Sequence, residues 1–173
     1  MANFQDEPMG EHEEARAADD KRRPILMKSL QSLEHKAFKN VYYHRKRTNF
    51  HARIASGLNL FIAAGTSLTF SATFYSGVTP RSISILAGIT AFLSIFLVIT
   101  DPREKSTWHR EFMKRYSRLV RDVKNAKHSL EIREFALTDS SKTVNELEKR
   151  FIDIGSEETS HYLILELEAY NEA

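Results

Sequence analysis

The stretch Ile54–Thr100, IASGLNLFIAAGTSLTFSATFYSGVTPRSISILAGITAFLSIFLVIT, decides the fold: it holds a single charged residue, Arg81. Residues 54–75 form a first apolar segment, about 33 Å long as a helix, against a hydrocarbon core of about 30 Å. Residues 76–82 carry Gly77 and Pro80, the punctuation of a tight turn. Residues 83–100 form a second segment, about 27 Å as a helix. Eleven of its positions are Ile, Leu, Val or Phe, which together favour membrane insertion by roughly a few kcal/mol. The competing reading is a helical hairpin buried in a water-soluble protein. Such helices normally keep a charged face, neither segment has one, and the remaining 126 residues could hardly wrap both.

Charge is sorted around this stretch. Residues 1–20 have net charge −6 and residues 21–53 have +9, whereas residues 101–133 have +5 and residues 134–173 have −7. Two basic blocks thus bracket an uncharged one, which is a membrane pattern. The 15 residues before Ile54 hold five Lys/Arg and the 15 after Thr100 also hold five, while the connecting loop holds one. By the positive-inside rule both termini are expected in the cytoplasm, with residues 76–82 as a short periplasmic loop of a multi-pass protein in the inner membrane.

The flanks read as helices. Residues 1–23 are acidic and poor in large apolar side chains, a composition typical of a disordered arm. Residues 24–53 are expected to form an amphipathic cytoplasmic helix entered at Pro24, with Leu26, Leu30, Leu33, Ala37 and Val41 on one stripe. Tyr42, Tyr43, Arg45, Lys46, Arg47 and Arg53, with Arg103 and Lys105 on the other side, suit the lipid headgroup level. Asp101-Pro102 opens a second cytoplasmic helix over 101–137. Its stripe of Trp108, Phe112, Tyr116, Leu119 and Val123 has coiled-coil spacing and is its expected core. Residues 138–173 read as acidic C-terminal helices interrupted at Gly155. The expected fold class is therefore an all-α integral membrane protein, a two-transmembrane helical hairpin with long cytoplasmic flanking helices.

Motifs of catalysis are missing from the sequence. There is no cysteine, phosphate-binding glycine loop, His-Glu-x-x-His or nucleophile elbow. No enzyme activity, catalytic residue, cofactor or metal site is expected. His44 and His51 share a helical face, but no third ligand is evident and an interfacial role explains them. The basic blocks are better explained by the lipid bilayer than by nucleic acid, so no nucleic-acid partner is expected.

The apolar segments carry the more informative pattern. Ser56, Asn59, Ala63 and Thr66 fall on one side of the first, and Ser84, Gly88 and Ala91 on one side of the second. Small faces let membrane helices approach closely, within the hairpin or between copies of a homo-oligomer. The same face could instead line a water-filled pore, for which Asn59 is the strongest residue because a buried amide needs partners.

Taken together, Tyr42-Tyr43-His44-Arg45-Lys46-Arg47, two spans with a minimal loop, and Trp108-His109-x-x-Phe112-x-x-x-Tyr116-x-x-Leu119 resemble the SLATT domain, the two-transmembrane effector domain that associates with SMODS and SLOG domains in bacteria. The resemblance covers about residues 25–135 and is one of layout with matching His, Tyr and Leu positions. It implies a membrane effector of an anti-phage or conflict system that forms a pore or disrupts the membrane once a sensor triggers it. SMODS and SLOG domains do not occur in this sequence, so the sensor would be a separate protein. A membrane anchor or scaffold that recruits a cytoplasmic partner, and a phage holin-like protein, are the other two functions the layout fits.

Overall fold

The computed structural model describes the backbone of residues 9–75, 77–132 and 137–171, and the side chains of residues 21–75, 77–132 and 139–160. The described residues form four helices: α1 Met9–Ala72, α2 Pro80–Thr100, α3 Pro102–Glu131 and α4 Leu137–Asn171. No strand occurs among the described residues. Two helices are long and apolar enough to cross a membrane.

Several boundaries differ from those read off the sequence. The first helix starts at Met9, inside the segment whose composition suggested disorder, and runs unbroken for 64 residues. The segment is rich in Glu, Ala and Arg, which are good helix formers, and extending an existing helix avoids the cost of nucleation. Pro24 consequently lies inside α1, not at its entrance, and forgoes one backbone hydrogen bond. The first apolar helix ends at Ala72, three residues before Tyr75, and single turns bonded from Tyr75 to Ala72 and from Val78 to Tyr75 follow. The second begins at Pro80, three residues before Ile83, because Thr79 caps it: the Thr79 side chain accepts the Ser82 amide at 3.4 Å.

Asp101 alone separates α2 from α3. Its φ of 28° lies in the left-handed region, which Asp tolerates better than most residues. Its Oδ1 accepts the Glu104 amide at 3.0 Å, so the residue that ends one helix caps the next. The helix expected over 101–137 is shorter, since α3 ends at Glu131 and α4 already begins at Leu137. Nor does Gly155 end a helix; α4 continues through it. A Cβ at Gly155 would lie 3.8 Å from the Tyr116 hydroxyl, so the glycine sits against an aromatic side chain.

The chain divides into two compact units, residues up to Val41 with those from Lys114 onward, and residues Tyr42–Met113. The first unit packs Leu30, Leu33 and Ala37 of α1 against Leu119, Val120, Val123 and Leu130 of α3 and Val144 and Leu147 of α4. Leu26, Val41, Phe151 and Ile154 extend this core. Polar contacts frame it. Lys127 Nζ donates to Glu34 at 2.7 Å, Arg23 donates to the Leu130 carbonyl at 2.6 Å, and Ser29 donates to Glu148 at 2.8 Å. Arg150 pairs with Asp122 at 3.0 Å and Arg115 pairs with Glu157. Tyr116, almost fully buried, donates its hydroxyl to Glu158 at 3.2 Å. Burial, with the Glu158 charge and hydrogen bond second, pushes its pKa up to about 12.

Candidate functional site

The second unit contains the two apolar helices and the residues at their open end. Along α1 the part-buried positions include Ile54, Leu58, Ile62, Gly65 and Thr69; along α2 they include Ile83, Leu86, Thr90, Leu93 and Leu97. Both sets advance by threes and fours, the spacing of one packed helix face. The faces meet at Gly65, where an added Cβ would lie 2.5 Å from Thr90 Oγ1. Removing a side chain at this point is what lets the helices approach.

Six of the seven span residues singled out from the sequence lie outside this contact. Ser56, Ala63 and Thr66 on α1, and Ser84, Gly88 and Ala91 on α2, are exposed, away from the Gly65–Thr90 contact. A Cβ on Gly88 would meet nothing within 4 Å. Asn59 is part-buried, and its amide donates to the Ala55 carbonyl at 2.6 Å. Hydroxyls behave alike: Thr66 donates to Ile62, Ser67 to Ala63, Thr69 to Gly65, Ser84 to Pro80, Thr90 to Leu86 and Ser94 to Thr90, all at 2.7–3.0 Å. A hydroxyl bonded to the carbonyl one turn back can face hydrocarbon without stranding a donor. No residue of α2 is buried within the chain, and Ile85, Phe92, Ile95, Val98 and Ile99 are largely exposed.

At the open end of the hairpin the aromatic and basic residues separate by role. Tyr42, Arg45, Lys46, Arg53, Arg103 and Lys105 are exposed, and Arg47 places its guanidinium 5.6 Å from the centre of the Tyr43 ring. Of the α3 stripe, Phe112 is buried and Trp108 part-buried in this unit, whereas Tyr116, Leu119 and Val123 are buried in the other.

A cluster of three histidines is the feature that sequence reasoning missed. His44 of α1 and His109 of α3 are buried, and their Nδ1 atoms are 3.0 Å apart. His44 stacks on Phe112 at 5.7 Å and meets Trp108 and Tyr43 edge-on at 6.0 and 5.2 Å. His51, two turns beyond His44, stacks on His109 with centroids 5.5 Å apart and planes within 10°. Burial first, then the charges of Lys105 and Arg47, hold the His51 pKa below its ordinary value. Ser106 adds a second tie by donating to the Thr48 carbonyl at 3.2 Å. The spacing of His44 and His51 was visible in the sequence. That His109 faces them depends on the register between α1 and α3, which no local pattern fixes. Among the described residues no group of three His, Asp or Glu side chains is placed to hold a metal ion.

Fold and site together define an all-helical chain with two candidate membrane-crossing helices and an aromatic histidine cluster at their open end. No family model, curated protein or solved structure matches the chain.

Proposed function

We propose that the protein is a two-transmembrane effector of the inner membrane, with both termini in the cytoplasm, that oligomerises through its hairpin and forms a pore or disrupts the bilayer. The observation that carries this reading is the outward placement of Ser56, Ala63 and Thr66 and of Ser84, Gly88 and Ala91, away from the hairpin's own contact. A small, weakly polar face left free by the hairpin is suited to further helices, and so to a homo-oligomer in the lipid bilayer. The likeness to the SLATT layout adds the biological setting, a bacterial antiviral defence or conflict system with a separate sensor protein. Basic residues on both sides of the hairpin support the orientation.

A second reading, a membrane anchor or scaffold for a cytoplasmic partner, has its own support. The span hydroxyls are satisfied by their own helices, so they require neither water nor a neighbouring copy. Induced expression in a bacterial host, with membrane potential and entry of an impermeant dye followed together, separates the two. Depolarisation with growth arrest is expected for the effector. Full retention of potential at high membrane abundance would rule it out in favour of the anchor.

A further inference from the structure

We propose that His44 and His109 form a proton-operated latch that holds α1 to α3 at the open end of the hairpin and releases on acidification. The inference rests on the hairpin spanning a membrane only for its physiological meaning, because the latch itself is a property of the His cluster. Both imidazoles are buried, and at 3.0 Å the two Nδ1 atoms are within hydrogen-bond distance. One ring therefore donates its Nδ1–H and the other accepts through a bare Nδ1.

That geometry admits one added proton but not two. The first can go to the far nitrogen of the donor ring and leaves a charge-assisted N–H···N bond in place. A second must occupy the accepting Nδ1, which sets two N–H groups and two positive charges against each other at contact distance. Double protonation is thus expected to break the contact.

The surroundings oppose the charged forms. From α1 the pair faces the Tyr43 ring, which carries Arg47 over it, and His51, whose ring stacks on His109. From α3 it faces Trp108 and Phe112, with Lys105 one turn earlier acting on His51. Lys105 and Arg47 put further positive charge beside this cluster, so nothing in it offsets the repulsion of a doubly protonated pair. The latch is closed in a neutral cytoplasm and opens when protons enter, as they would through a leaking membrane.

The test is a distance measurement on the full-length protein in lipid nanodiscs. Spin labels at Asn49 and Thr107, exposed positions on α1 and α3, report the separation by pulsed electron resonance between about pH 8 and about pH 5, the range histidine covers. A single short distance is expected at the alkaline end. A longer component should grow about tenfold on acidification. His44→Gln/His109→Gln keeps polar side chains at both sites but takes no proton, and should hold one distance throughout. Imidazole ¹⁵N resonances should show both rings taking up a proton, a signature that simple packing would not produce. A pH-independent distance in the parent protein would overturn the latch. So would an unchanged pH response in the double variant, with the response lost in His51→Gln instead. Neither result depends on whether the protein leaks, so failure of the effector reading remains separately detectable.

Discussion

Gly65 and Thr90 mark a close approach of α1 and α2: a Cβ added to Gly65 would come within 2.5 Å of Thr90 Oγ1. Thr90 cannot yield freely, because its hydroxyl donates to the Leu86 carbonyl at 2.9 Å. Gly65→Ala is therefore expected to destabilise the hairpin by about 1–3 kcal/mol, the usual cost of overpacking. Thr90→Ala removes the obstructing oxygen, so the double variant should recover most of that loss. Denaturant titration in mixed micelles, run as a double-mutant cycle, measures the coupling. Additive effects would show that the two residues do not touch.

Tyr116 makes stability sensitive to alkali. Its pKa is raised to about 12 in the folded chain, whereas an unfolded tyrosine ionises near 10. The folded state therefore holds its proton over a range in which the unfolded state has lost it. This contribution is complete below about pH 10 and is lost as pH rises towards 12, by roughly 3 kcal/mol at most. Tyr116→Phe should cost about 1 kcal/mol at neutral pH through the lost hydrogen bond to Glu158 and should flatten this alkaline decline. Thermal unfolding followed at several alkaline pH values tests both parts; an equally steep decline in the variant would assign it to another group.

The apolar helices were legible because a helix long enough to cross a bilayer leaves a signal of composition alone: residues 54–80 contain no charge. The α3 stripe was legible for a similar reason, since Phe112, Tyr116, Leu119 and Val123 recur at helical spacing and all four are buried. Boundaries were less so. Pro24 and Gly155 are ordinarily helix breakers, yet α1 and α4 continue through them, because the flanking residues sustain the helix. The contact between the apolar helices was not legible either. Small residues occur on several faces of both, and choosing Gly65–Thr90 over the Gly88 face needs the relative rotation of the helices. The same limit hid the pairing of His44 with His109, which lie 65 residues apart in the chain.

Glu34 is the acidic focus of the first unit. Lys127 approaches it at 2.7 Å and Lys124 at 3.9 Å, and Glu34 and Lys127 are both about three-quarters buried. Glu34→Lys should therefore destabilise this unit by about 1 kcal/mol or more, since it replaces attraction with repulsion at partly shielded positions. The exchange Glu34→Lys/Lys127→Glu should restore most of the loss. Added salt should narrow the gap between the single variant and the parent. A salt-independent gap would place the effect in packing of the Glu34 stem instead.

The proposed topology predicts a labelling pattern. A cysteine at Thr79, the exposed cap of α2, should react with an impermeant maleimide added to cells with a permeabilised outer membrane. Cysteines at the exposed positions Ser32 and Asn145 should react only after the inner membrane is broken. The chain has no cysteine of its own, so background labelling is nil. Labelling of Asn145 but not Ser32 in cells with an intact inner membrane would refute an even number of crossings, and labelling of both would refute the cytoplasmic placement of the termini.

Asn59 and Thr66 separate the pore from the packed interface. Thr66 is exposed in the hairpin and Asn59 is part-buried, and each satisfies a donor on its own helix, to Ile62 at 2.8 Å and to Ala55 at 2.6 Å. Replacing either by Leu removes a polar group without stranding a buried partner side chain. If the face lines a pore, Asn59→Leu and Thr66→Leu dry the lumen, so leakage should fall while membrane abundance stays normal. If instead the face packs closely against another copy, the larger side chains overfill the contact. Oligomer stability in detergent should then drop together with leakage. Membrane potential, quantitative blotting and crosslinked oligomer yield, measured on the same cultures, tell the two apart. Leakage and oligomer yield unchanged in both variants would remove this face from the mechanism and leave the anchor reading in front.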